Sequence, residues 1–88
     1  MALNFPNQSR SFDPGRQSVR FTGYDGVFEI SIFVQVDALR TMTEKPMSDE
    51  TLFLAAFDGM RDTVEGHARK AYSRRRGATL ILTAADIS

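Results

Sequence analysis

The sequence predicts a two-layer α+β domain, a mainly antiparallel β-sheet with one long α-helix laid across one face, in the order βββ-α-β. Three observations carry this: a single amphipathic helical pattern over 48–76, two β-rich segments on either side of Asp25-Gly26, and a strand-like stretch at 78–83. One domain spans 1–88. At 42% hydrophobic and 25% charged residues, so short a chain forms a single core, burying about 60–65% of its unfolded surface.

In chain order, residues 1–16 are rich in Asn, Pro, Ser and Gly, with Phe5 and Phe12 as isolated anchors. This is the composition of an irregular arm, with a short edge strand near Arg10–Asp13 and a turn at Asp13-Pro14-Gly15. A β-hairpin follows over 17–36. Gln17–Tyr24 and Val27–Val36 are rich in β-branched and aromatic residues, and Asp25-Gly26 suits a two-residue type I′ turn. That turn sets Tyr24 opposite Val27, Gly23 opposite Phe28, Phe21 opposite Ile30 and Val19 opposite Ile32. Val19, Phe21, Phe28, Ile30 and Ile32 then share the buried face, with Arg20, Thr22, Glu29 and Ser31 on the wet one. Arg20 is expected diagonal to Glu29.

Asp37 can cap a short helical turn over 38–42, with Leu39 and Met42 inward, and Lys45-Pro46 ends it. In the long helix, Phe53, Ala56, Phe57, Met60, Val64, His67, Ala68 and Ala71 fall within about 60° of one line at about 100° per residue. Ser48 is the expected N-cap, with Asp49 and Glu50 at the positive end of the dipole. Arg74, Arg75 and Arg76 complement its negative end, and Gly77 is the expected left-handed stop. Residues 78–83 form the last strand, Leu80 and Leu82 on one side, Thr79, Ile81 and Thr83 on the other. A short tail, 84–88, completes the chain.

Asn4-Phe5-Pro6-Asn7, Ser11-Phe12-Asp13, Val19-Arg20-Phe21 with Gly23-Tyr24-Asp25, the apolar strand to Val36, Asp37-Ala38-Leu39, Phe57 and Ala68-Arg69-Lys70-Ala71-Tyr72 succeed one another along the chain. Their order and the total length resemble the small bacterial family catalogued as domain of unknown function 1488. The resemblance implies an α+β fold of strands, one main helix and a closing strand. It implies no activity. The family's acidic-then-aromatic ending is replaced here by Asp86-Ile87.

Composition narrows the function. There is no cysteine, hence no disulfide or thiolate metal site. Eleven Lys and Arg balance eleven Asp and Glu, which disfavours nucleic-acid binding over the whole surface. Met1–Arg10 has no apolar signal region, and no apolar run approaches the roughly 18 residues of a membrane span. A cytoplasmic location without membrane attachment is the expectation. Gly23-Tyr24-Asp25-Gly26 lacks the lysine and following helix of a phosphate loop. The lone histidine, His67, sits on the apolar stripe, where a half-buried packing role competes with a ligand or acid/base role. Asp58, Asp62 and Glu65 are expected on the outer helix face, with Glu65 pairing to Arg61 and Arg69 at four-residue spacing. No catalytic, cofactor or metal site is expected, and the chain reads as a non-enzyme.

Two features exceed what folding needs. Gly59 and Gly66 lie on one helix flank with Thr63 between and Lys70 beyond; two interior glycines weaken a helix by about 1 kcal/mol each. Close approach of a backbone would explain them, from either the short helix near 37–42 or a second subunit. The outer sheet face adds Tyr24, Val27, Phe33 and Ile81 as a second candidate protein interface. The other feature is basic: Arg69, Lys70, Arg74, Arg75 and Arg76, with Tyr72 as a candidate stacking ring, form a candidate anion or nucleic-acid contact. The preferred expectation is an interaction module that forms a homodimer or binds a protein partner; the alternative is a nucleic-acid-binding accessory protein using the basic helix end.

Overall fold

The computed structural model describes residues 3–43 and 46–87. Four strands form one sheet in spatial order β1-β2-β3-β4: β1 Arg10–Asp13, β2 Ser18–Asp25, β3 Phe28–Gln35 and β4 Thr79–Leu82. The first three are antiparallel neighbours, and β4 runs parallel to β3 at the edge, Phe33 beside Ile81. Three helices, α1 Val36–Met42, α2 Glu50–Gly59 and α3 Arg61–Arg74, connect β3 to β4, and α4 Ala84–Ile87 follows. The long crossover is what a parallel neighbour requires.

The core forms between one sheet face and the helices. Val19, Phe21, Ile30, Ile32, Val34, Leu80 and Leu82 from the sheet meet Leu39, Phe53, Phe57, Val64, Ala68, Ala71 and Tyr72. The expected helix stripe is therefore the packed one, with Ala56, Met60 and His67 half-buried at its margin.

Four local expectations need correction. The hairpin register is displaced by two residues: Asp25 faces Phe28, Tyr24 faces Glu29, Gly23 faces Ile30, Phe21 faces Ile32 and Val19 faces Val34. A type I′ turn over Asp25-Gly26 demands positive φ at both residues. Here only Gly26 has it, at +64°; the loop is Gly26-Val27, with glycine first as a type II′ turn prefers. Asp25 instead ends the strand and accepts the Tyr72 hydroxyl at 2.7 Å. An even shift preserves the faces. It moves Arg20 opposite Phe33, where its guanidinium reaches the Ser31 hydroxyl rather than Glu29. Phe28, at the hairpin tip, is 70% exposed rather than buried.

Second, the long helix is two. Met60, at φ −118° and ψ 17°, separates α2 from α3 directly after Gly59. Its N–H still donates to the carbonyls of Ala56 and Phe57, and its carbonyl accepts from Val64, so the break is a bend that keeps the stripe in phase. Third, the caps shift. Asp49, not Ser48, caps α2, its carboxylate accepting from the Leu52 N–H at 3.0 Å. Asp37 lies inside the first turn of α1 after the cap Gln35, and Arg40 approaches its carboxylate at 3.4 Å. Gly77 keeps a φ outside the left-handed region; Arg75 closes α3, donating its N–H to the Ala71 carbonyl. Helix α1 ends at Met42, and Lys45 of the expected Lys45-Pro46 stop lies outside the described residues.

Fourth, the arm is structured. Leu3 is buried, Asn4 pairs with Tyr24 through two 2.8 Å backbone hydrogen bonds, and the Phe5 ring lies 5.8 Å from that of Phe21. Helix α3 ties the arm down: Arg61 donates to the carbonyls of Asn7 and Gln8, and Arg69 to that of Leu3. Arg10 forks onto Asp58 at 2.9 and 2.8 Å, linking β1 to α2. Glu65 is correspondingly not on an outer face. Arg61 and Glu65 pair at 3.1 Å, each side chain only 12% exposed, and the Arg61 guanidinium lies over Phe57 and Phe21. The two carbonyls, the ring faces and the carboxylate together satisfy the buried Arg61 cation.

Candidate functional site

The Gly59 flank borders a groove. Helical spacing puts Leu52, Ala55, Ala56 and Gly59 at i, i+3, i+4 and i+7, one stripe along α2, and Thr43, Pro46, Met47 and Met60 complete the lining. Leu52 stays 41% exposed beside it. A Cβ built on Gly59 would meet nothing within 4 Å, and the same holds at Gly66. Close approach of α1 therefore does not explain either glycine. The other members of that flank separate: Thr63 lies with Gly59 in a polar depression at the bend, whereas Lys70 lines a groove between α3 and α4.

The outer sheet face does not present one apolar patch. Phe33 is buried, its ring covered by the Arg16 guanidinium at 4.5 Å. Ile81 is 39% exposed beside it, Tyr24 is held at the far end of the strand by Asn4, and Val27 is 91% exposed on the hairpin turn. The exposure of Phe28 beside it was hidden from the sequence by the turn assignment, since an Asp25-Gly26 loop places Phe28 on the buried face of a paired strand.

The basic helix end also divides. Tyr72 is a core residue whose hydroxyl is bonded to Asp25, which raises the phenol's pKa; its ring is not exposed for stacking. Arg69 lies over Phe5 at 5.0 Å, and Arg75 pairs with Asp86 at 3.0 Å. Lys70, Arg74 and Arg76 are exposed and make no ion pair among the described residues. Asp86 additionally accepts from the Thr83 N–H at 2.8 Å and the Thr83 hydroxyl at 3.2 Å, a reach back to the residue before α4 of the capping-box kind. Burial opposes ionisation of this carboxyl, but those bonds and Arg75 outweigh it and hold its pKa below the ordinary range. The Thr83-x-x-Asp86 spacing was the available signal for α4.

No group of three His, Asp or Glu side chains that could hold a metal ion occurs among the described residues, and no described helix is long and apolar enough to cross a membrane. The fold and its open grooves define a small two-layer α+β protein with helices over one sheet face. The chain belongs to the family described as "Protein of unknown function (DUF1488)", whose model matches residues 3–82. A crystal structure of a member from Shewanella loihica PV-4, also described as of unknown function, superposes with a TM-score of 0.79 at 15% identity, covering 92% of this chain and 91% of that one. At that identity the likeness concerns the fold. No curated protein matches the sequence significantly.

Proposed function

We propose that this protein is a non-enzymatic interaction module that self-associates through the outer stripe of α2. The observation that carries this reading is the open space over Gly59 at one end of a stripe whose other end is the exposed Leu52. Two copies of α2 packed antiparallel about a two-fold axis near Ala55 and Ala56 set Leu52 of one copy over the partner subunit's Gly59, and the reverse. Such a contact is self-complementary, as a two-fold interface must be. Small residues at its centre permit close helix approach, and Pro46, Met47 and Met60 supply apolar walls. Gly59, the last residue of α2, leaves the space that this contact fills.

The nucleic-acid alternative has less support, because Tyr72 is buried and Arg69 and Arg75 are engaged internally. The test is sedimentation equilibrium on the wild-type chain and on Leu52→Asp. A concentration-dependent dimer that the substitution abolishes is expected; a strict monomer at high micromolar concentration removes the reading.

A further inference from the structure

A second surface has a chemistry unrelated to the α2 stripe. His67, Lys70, Ser73 and Arg74 on α3 face Asp86 and Ile87 of α4 across one groove. Helical spacing puts residues 67, 70 and 74 on one face, with Lys70 and Arg74 a like-charged pair four residues apart. Such a pair is destabilising by a few tenths of a kcal/mol unless an anion lies between. The one carboxylate of the groove is engaged elsewhere: Asp86 accepts from Arg75, the Thr83 N–H and the Thr83 hydroxyl. Arg74, in the last turn of α3, and Arg75, which closes the helix, complement its dipole, whereas Lys70 lies a turn further in, where the dipole does not call for a cation. Ser73 donates its hydroxyl to the Lys70 carbonyl at 2.7 Å, so it is spent within the helix.

We propose that this groove binds a phosphate-class oxyanion, held between Lys70 and Arg74 with the half-buried His67 as a third contact. The guanidinium supplies a planar two-donor fork and the ammonium a mobile point charge, the pair of donors suited to a tetrahedral oxyanion. Ile87 adds one apolar wall to a groove otherwise lined by polar side chains, so the chemistry accommodates either free phosphate or the phosphoryl group of a small monoester.

The experiment is an NMR titration of backbone amides with inorganic phosphate, and separately with phenyl phosphate, at ionic strength held constant by sodium chloride. Saturable shifts confined to the 67–74 and 84–87 segments are expected. Tighter binding of phenyl phosphate assigns the ester as the ligand; equal binding assigns the bare anion. The double substitution Lys70→Ala with Arg74→Ala is expected to weaken binding about tenfold or more, the loss of charge-assisted hydrogen bonds. Arg76→Ala, outside the groove, is expected to leave it within about twofold. Non-saturating shifts, or equal losses from Arg76→Ala and the double variant, overturn the proposal in favour of diffuse charge attraction.

Discussion

At the residue scale, two glycines have different physical surroundings, and substitutions separate them. Gly23 lies in β2 on the core face, and a Cβ there would come within 3.0 Å of the Phe5 ring and 3.1 Å of Leu3. The arm, bridged to Tyr24 through Asn4, packs Leu3 and Phe5 where a side chain at Gly23 would lie. Gly23→Val is expected to lower the unfolding free energy by about 1–3 kcal/mol through overpacking, measured by urea denaturation. Gly66 sits within α3 with open space around it. Gly66→Ala is expected to raise stability by about 1 kcal/mol, the helix-propensity difference alone; a loss in the isolated chain contradicts this assignment. Neither role was legible in the sequence, because the spacing of Gly59 and Gly66 suggests a common flank while their surroundings depend on where α1 packs. The inward stripe was legible, since Phe53, Phe57, Val64, Ala68 and Ala71 repeat at the helical period whatever lies opposite.

At the element scale, the chain end shows how a short helix is held. Asp86 fastens α4 to Thr83 and to Arg75 at the end of α3. Its pKa is depressed in the folded state, so its contribution is fully present above the ordinary carboxylate pKa and is lost as pH falls through the lower folded value. Asp86→Asn is expected to destabilise the protein at neutral pH by about 1 kcal/mol, as loss of a helix-start bond does. It is also expected to reduce the fall in stability on acidification, read from melting temperatures at several acidic pH values. Tyr72→Phe tests the tie between α3 and the hairpin: removing the hydroxyl bonded to Asp25 is expected to lower stability by about 1 kcal/mol. Elements whose signals are local were readable: both hairpin strands, the two-helix span and the last strand. The hairpin register was not, because Asp-Gly favours one turn and the Tyr72–Asp25 bond, made across 47 residues, favours another. The bend at Met60 was missed for a related reason, since hydrogen bonds bridge it and the apolar phase runs through unchanged.

At the scale of the whole molecule, the arrangement explains how a cysteine-free chain of 88 residues forms a core. The arm, expected to be irregular, contributes Leu3 and Phe5 to the packing and is fastened by Arg10, Arg61 and Arg69. Three arginines that look like surface charge in the sequence are thus cross-links between distant segments. Their partners are mostly backbone carbonyls, which carry no sequence signature. Besides the Val27-Phe28 hairpin tip, the exposed features include a short apolar stripe on α2 and a basic groove beside α4, on separate surfaces.

The α2 stripe bears the central claim, and sedimentation equilibrium across a range reaching high micromolar concentration, on wild type, Leu52→Asp and Gly59→Leu, tests it directly. Gly59→Leu fills the space that the partner subunit's Leu52 requires, while a Cβ at that position meets nothing in its own chain. The account predicts a concentration-dependent dimer for the wild type and monomers for both variants, with circular-dichroism spectra unchanged from the wild type's. A wild type that stays monomeric throughout, or variants that associate as the wild type does, would contradict it.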